Sequence, residues 1–218
     1  MRVRDRLGID ERRQRQLTWL MELVMLGVFL VGVWKVNVKI IANAGVALLI
    51  AQIVPVLERD YGVPLDAGLT LWITSAVFLH AFGTIGIPGG QSFYVTIDWW
   101  DHMTHALSSS VVAGVGYATV RALDEHSEEI TLPPRFVFVF ILLFVLAYGV
   151  FWEIIEFGIG VAASMAGTES VLTQYGLTDS LWDLIYNTLG AVVVATWGTA
   201  HLNGISSYIE DRLERRAA

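Results

Sequence analysis

Three short runs hold most of the side chains in this sequence that could do chemistry. They are Asp98-Trp99-Trp100-Asp101-His102-Met103-Thr104-His105, Trp152-Glu153-Ile154-Ile155-Glu156, and Asp179-Ser180-Leu181-Trp182-Asp183 followed by Asn187. On a helix, Asp98, His102, His105 and Ser109 form one stripe, and Asp101, His105, Ser108 and Val112 form the next, sharing His105. Glu153 and Glu156 are three apart and therefore neighbours. Asp179, Asp183 and Asn187 step by four, and Gly190 continues their stripe. Carboxylates interleaved with imidazoles are donors for a divalent cation, and this oxygen and nitrogen mixture suits Zn, Mn or Fe without choosing among them. The expected ligands are Asp101, His102, His105, Glu153, Glu156 and Asp183, with Asn187, Asp179, Asp98 and His80 supporting them from behind.

Charge makes the same point. Asp98, Asp101, Glu153, Glu156, Asp179 and Asp183 have only His80, His102, His105, Lys35 and Lys39 available to compensate them. Six carboxylates cannot all stay ionised together in a low dielectric, so some hold protons or a cation sits among them. Plainer roles are open for each group. Trp99, Trp100, Trp152 and Trp182 read as an interfacial aromatic belt. Asp98 and Asp179 read as helix caps, and His80 as a hydrogen-bonded packing residue. The remaining cluster also reads as a proton-sharing clamp that fixes helix register.

The elements that must position these residues are membrane helices. Of 218 residues, 55% are hydrophobic and only 16% are charged, with no cysteine and a mean hydropathy of +0.57. A soluble domain carries about 25% charged residues. This composition excludes disorder, a disulfide scaffold, a thiol nucleophile and a cysteine-bound metal. A formal charge of −7 argues against nucleic-acid binding. A span needs about 20 apolar residues, and six runs qualify: 17–34, 40–57, 67–87, 98–121, 136–161 and 179–200. The expected fold is an all-α polytopic bundle over 17–203, between a basic segment at 1–16 and an amphipathic segment at 204–218. The first run has no small-residue cleavage site after it and reads as a retained anchor. Gly83, Gly86, Pro88, Gly89 and Gly90 break the pattern between the third and fourth runs.

With both termini on one side, that side collects Arg2, Arg4, Arg6, Arg12, Arg13, Arg15, Arg59, Arg121, Arg135, Arg212, Arg215 and Arg216. The other side receives Lys35 and Lys39. The positive-inside rule therefore places both termini in the cytoplasm of a cell membrane and the three polar runs at the outer helix ends. In the last segment Ile205, Tyr208, Ile209 and Leu213 recur at helical spacing and suit the inner surface. The loop Asp124-Glu125-His126-Ser127-Glu128-Glu129 is strongly acidic and lysine is scarce. A salt-rich cytoplasm of a halophile and a GC-rich genome are two explanations of that bias.

The fourth and sixth runs echo one another. Aligning Trp100-Asp101 with Trp182-Asp183 sets His105 on Asn187. It also matches Leu107, Val111, Val112, Ala113, Gly116 and Ala118 with Leu189, Val193, Val194, Ala195, Gly198 and Ala200. The expectation is two related hairpins, runs three–four and five–six, meeting around the polar cluster.

The span from about His80 to Ala191 resembles the bacterial YjdF-like inner-membrane proteins, a family without an established function. His80 and Gly83 match its His-x-x-Gly, Asp101 and His105 its Asp-x-x-x-His, and Glu153, Glu156 and Phe157 its Glu-x-x-Glu-aromatic. Asp179, Trp182, Asp183, Gly190 and Ala191 match its last motif. VanZ-like membrane proteins share a looser version. Thr84 and Ile85 stand where the family has a second His and tyrosines, His102 stands at an Arg position, and the Gln-Gly-Asp before the last helix is missing. The resemblance implies a membrane protein and no reaction.

Three function classes remain. One is a metal-binding membrane protein acting on lipid or envelope substrates at the outer leaflet, although no H-E-x-x-H or Ser–His–Asp grouping is present. Another is a proton- or cation-coupled transporter, which would want polar residues through the inner helix halves. Those halves read Val111–Val115, Val137–Leu146 and Val192–Ala195, and only Glu22, Asn43 and Gln52 are polar candidates elsewhere. The third is a structural protein held by its clamp. The expected surroundings are a lipid bilayer and no nucleic acid, with a homo-oligomer open.

Overall fold

The computed structural model describes residues 10–86, 90–126, 131–172, 174–197 and 199–217. Arg2, Arg4, Arg6, Ile87, Pro88, Gly89, Ser127, Glu128, Glu129 and Gly198, which enter the reading above, lie outside the described residues. Among those described, eight helices and no strands occur. They are α1 (Glu11–Trp34), α2 (Val38–Tyr61), α3 (Ala67–Gly83), α4 (Phe93–Thr96), α5 (Trp100–His126), α6 (Pro134–Ala166), α7 (Leu177–Trp197) and α8 (Thr199–Ala217). The chain forms two compact units, 1–100 with 169–171, and 101–168 with 172–218.

In the first unit, local chemistry sets the helix ends. Asp10 caps α1 by accepting from Arg13 N–H at 2.8 Å, Asn37 caps α2 through Ile40 N–H at 3.0 Å, and Asp66 caps α3 through Leu69 N–H at 2.8 Å. Each is an oxygen satisfying an otherwise unpaired first-turn donor. The link between α1 and α2 is so short that Val36 takes φ 51°, a region that β-branched residues avoid. Gly32 allows this approach, since a Cβ there would lie 2.9 Å from Ile40 Cγ2. Met25 and Val28 of α1, Ile40, Ala44, Ala47 and Ala51 of α2, and Ala81 of α3 form the core. Alanines bring these helices close where lipid offers no hydrophobic drive for association.

In the second unit, α6 opens on Pro134, whose ring is preset for a first helical position. It ends at Gly167 with φ 66°. Its 33 residues span about 50 Å, longer than the ~30 Å hydrocarbon core. The contacts of α5 with α7 rise together along both helices: His102 with Asp183, Ser109 with Asn187, and Ala106 and Ser109 with Gly190. The two helices are therefore parallel neighbours. Gly116 of α5 admits Phe144 of α6, whose ring carbon would lie 2.8 Å from an added Cβ. At the far end of α5, the Arg121 guanidinium pairs with Asp124 and Glu125, and Asp124 accepts the Leu132 N–H.

The side-chain distribution is that of a chain solvated by lipid. Along α6, Val137, Ile141, Val145, Gly149, Glu153 and Glu156 are buried, while Phe136, Val139, Leu143, Phe151, Ile154 and Phe157 are exposed. Acids face inward and aromatics outward, the reverse of a water-soluble helix. Four described helices, α1, α2, α5 and α6, are long and apolar enough to cross a membrane. α3 has 17 residues, about 26 Å of helix. α7 has 21 residues, but Asp179, Asp183 and Asn187 lower its hydropathy.

Candidate metal centre

Asp101, in the first turn of α5, and His105 one turn later lie on the face that meets α7. Asp183 and Asn187 occupy the buried stripe of α7, and Glu153 and Glu156 that of α6. This local folding follows from the spacings of four and three, which place each pair on one helix face.

Two of these helices, α5 and α7, bring Asp101, His105 and Asp183 together. Each offers one ligand atom, and these atoms lie within 4.8 Å of one another. His105 Nε2 stands 3.6 Å from Asp101 Oδ1 and 3.9 Å from Asp183 Oδ1. Both separations exceed an ordinary hydrogen bond. Donors around a tetrahedral ion at about 2.1 Å lie about 3.4 Å apart, so the spacing is close to that of co-ligands. His102 Nδ1 lies 3.4 Å from the same Asp183 oxygen, and its ring stacks on Tyr186 with centroids 4.8 Å apart. The Asn187 side chain interacts with His105. Gly149 makes room for that amide, since an added Cβ would sit 2.8 Å from Asn187 Nδ2.

The acids of α6 act on this group electrostatically without joining the compact triad. Glu156 accepts from Trp152 Nε1 at 3.0 Å. Glu153 Oε2 accepts from Gln174 Nε2 at 3.1 Å, and that nitrogen also reaches Ser180 Oγ at 3.0 Å. Glu153 is only 8% exposed, yet its Oε1 has no hydrogen-bond partner among the described residues. The charges of Asp101, Asp179, Glu153 and Glu156 all act on Asp183. Arg121, the first basic residue along α5, is about 30 Å of helix from Asp101. In the loop before α7, burial and the charges of Asp101, Asp179 and Glu156 hold the Tyr175 phenol above its ordinary value.

Several expected positions fall differently. Asp98 precedes α5 and is exposed, so the Asp98–His102–His105 stripe has no helical first member. Asp179 lies inside the first turn of α7 and accepts the Tyr175 N–H at 3.1 Å, so it steadies the loop rather than capping the helix. Trp100 is buried, donates to Leu79 O at 3.2 Å and stacks on Phe93. Trp152 is held by Glu156, which leaves Trp99 and Trp182 as the exposed tryptophans of those four. His80 lies in the first unit with its own partners, Asn43 Oδ1 at 3.2 Å from Nε2 and Tyr94 OH at 2.9 Å from Nδ1. Gln174 and Ser180 were not singled out from sequence. A loop glutamine has no periodicity, and only the i, i+6 proximity of the two could have suggested them.

Residues 17–204 match the family described as "Predicted membrane protein (DUF2238)". The chain belongs to this family. A Thermotoga maritima protein described as "Uncharacterized protein" is 33% identical to this DUF2238 chain over 131 residues, 57% of this chain and 58% of that one. The chain thus spans little more than half the length of that relative. No solved structure matches it.

Proposed function

We propose that this DUF2238 protein is a multi-pass membrane protein that binds a divalent cation at Asp101, His105 and Asp183, with His102, Glu153 and Glu156 completing the donor set. The observation carrying the reading is the convergence of the three donor atoms, with His105 Nε2 3.6 Å and 3.9 Å from the two carboxylates, beyond an ordinary hydrogen bond and close to the spacing of co-ligands. The donor chemistry supports Zn, Mn or Fe. Elemental analysis of the protein purified without chelators tests it, with Asp101→Ala and His105→Ala as controls. Stoichiometric metal in the wild type, lost in both variants, is expected. Absence of metal in a folded wild type would leave the cluster as a proton-sharing clamp.

The reading includes six spans, with α3 and α7 joining the four apolar helices, both termini cytoplasmic and the centre at the outer face. The arginine distribution supports this orientation. Motif order supports a YjdF-like assignment within the family. The looser VanZ-like likeness rests on the acid–His, Glu and Asp order alone. A site at that level would act on lipid or envelope substrates, with metal polarising an oxygen or lowering the pKa of a bound water. The related-hairpin idea draws support from the parallel α5–α7 seam, whose contacts pair residues close to the Trp100/Trp182 register. A transporter is disfavoured by the buried Ala113, Ile141, Val145 and Val194 beyond the cluster.

A further inference from the structure

We propose that α1 and α2 form a dimer interface in which Glu22 of one copy hydrogen-bonds Gln52 of a second copy, and the reverse pair forms beside it. The inference concerns the first unit and stands apart from the metal reading.

The hairpin places the pair. α1 and α2 run antiparallel across the short link between Trp34 and Val38, and a Cβ at Gly45 would touch the Phe29 ring at 3.5 Å. Phe29 and Gly45 therefore face one another on the seam. Two turns back along α1 stands Glu22, and two turns on along α2 stands Gln52. Residues i and i+7 share a helix face, so Glu22 and Gln52 sit beside one another along the same seam. Both also lie about 7.5 Å of helix inside the same end of the apolar runs 17–34 and 40–57.

Neither group is matched within the chain. Glu22 is half-buried and Gln52 is exposed, and among the described residues neither side chain has a hydrogen bond or ion pair. Both helices are long and apolar enough to cross a membrane. Around the pair, Leu26 and Val33 of α1 and Leu49 and Val56 of α2 are exposed. Lipid tails supply no donor or acceptor, so a carboxyl and a carboxamide at this depth gain by meeting polar groups of another helix.

A second copy supplies those groups. The carboxamide donates and accepts, and the carboxyl accepts and, when protonated, donates. Rotation about an axis along the membrane normal keeps every residue at its own depth. Because Glu22 and Gln52 share a depth, that rotation brings each to its counterpart and makes two reciprocal bonds at once. The exposed leucines and valines then close around a polar centre.

The test counts subunits of the full-length protein in lipid vesicles, by stepwise photobleaching of an N-terminal label under serial dilution into lipid. The wild type is expected to bleach in two steps, and the double variant Glu22→Leu, Gln52→Leu in one. The exchange Glu22→Gln with Gln52→Glu keeps the complement and should restore two steps. Introduced thiols locate the face, because the chain has no cysteine of its own. Chains carrying Leu26→Cys should cross-link through a short bis-maleimide to chains carrying Leu49→Cys. Val31→Cys, exposed on the opposite side of α1 from Glu22, should not cross-link. A monomeric wild type overturns the dimer, and a lipid or foreign polypeptide found on it by native mass spectrometry is then the occupant instead. A dimer that survives the double leucine variant, or that cross-links through Val31→Cys, overturns the assignment to this face. A folded exchange variant that stays monomeric overturns the reciprocal pairing. The wild-type count decides the matter even where a variant does not fold, and its failure leaves the metal reading untouched.

Discussion

Gly190 of α7 packs so tightly on α5 that a Cβ there would stand 2.2 Å from the carbonyl oxygen of Ala106. One turn away on each helix, Ser109 Oγ donates to Asn187 O at 3.2 Å. The missing methyl at Gly190 thus sets the depth at which Asp183 and Asn187 meet Asp101 and His105.

Gly190→Ala must push backbone from backbone. Overpacking of this kind costs about 2 kcal/mol, or about 6 °C in a chain of this size. Thermal unfolding in detergent reads the loss. An unchanged midpoint would mean that the seam is looser than described, and a parallel Gly158→Ala, where nothing lies within 4 Å, should leave it unmoved.

Asp183→Asn should separate metal binding from stability. The amide cannot serve as an anionic ligand, so metal content falls. The same change removes a buried acid set among Asp101, Glu153 and Glu156, and the metal-free protein gains about 1 kcal/mol, roughly 3 °C. Unfolding in the presence of a chelator checks the sign. A fall in the metal-free midpoint would show that the ionised Asp183 is well compensated by its protein neighbours.

His80 should carry a proton on Nε2. Asn43 Nδ2 donates to Lys39 O at 2.8 Å and to Val171 O at 2.9 Å, so its Oδ1 faces the ring and can only accept. That assigns Nε2–H to Asn43, while the Tyr94 hydroxyl lies 2.9 Å from Nδ1 and also reaches the His80 carbonyl oxygen at 3.3 Å. Nitrogen-15 shifts of a selectively labelled histidine, assigned by His80→Gln, would show the opposite tautomer if this reasoning fails.

Tyr175 reports on the neighbouring acids. Its folded-state value lies above the unfolded one because burial, then Asp101, Asp179 and Glu156, oppose the phenolate. As pH rises past the unfolded value of about 10, the unfolded chain ionises first, so this group lowers stability in the alkaline range and has no effect below it. Divalent cation in the centre should offset the acids and bring the phenol down. Absorbance titration against Tyr175→Phe, with and without Mn²⁺, measures the difference; equal curves would place the ion elsewhere.

Apolar runs made the helices readable from sequence, because a membrane helix is defined by composition over about 20 residues. Their ends were less readable. α1 begins at Glu11, a turn and a half before its apolar run, since charged residues can continue a helix beyond the bilayer. The short α4 carries no such signal. Asp101, His105 and Asp183 could be singled out because acids and imidazoles are expensive in lipid. The pairing of His80 with Asn43 and Tyr94 joins residues distant in sequence and has no local pattern. Trp100 reads as an interfacial residue by type, but the space left by Gly83, where a Cβ would be 2.4 Å from its Nε1, draws it inward.

The inward-facing acids of α6 and α7 bear on how the chain enters the membrane. On the six-span topology, α7 carries Asp179, Asp183 and Asn187 into a layer that penalises each of them. Taken alone it is a weak candidate for release from an insertion machinery into lipid. α6 presents the complementary polar face near its end, and the connection between them is only residues 167–176. The two are therefore suited to integrate as a hairpin, with α6 held back until its successor has been made. The order of synthesis then becomes part of how the polar centre is built.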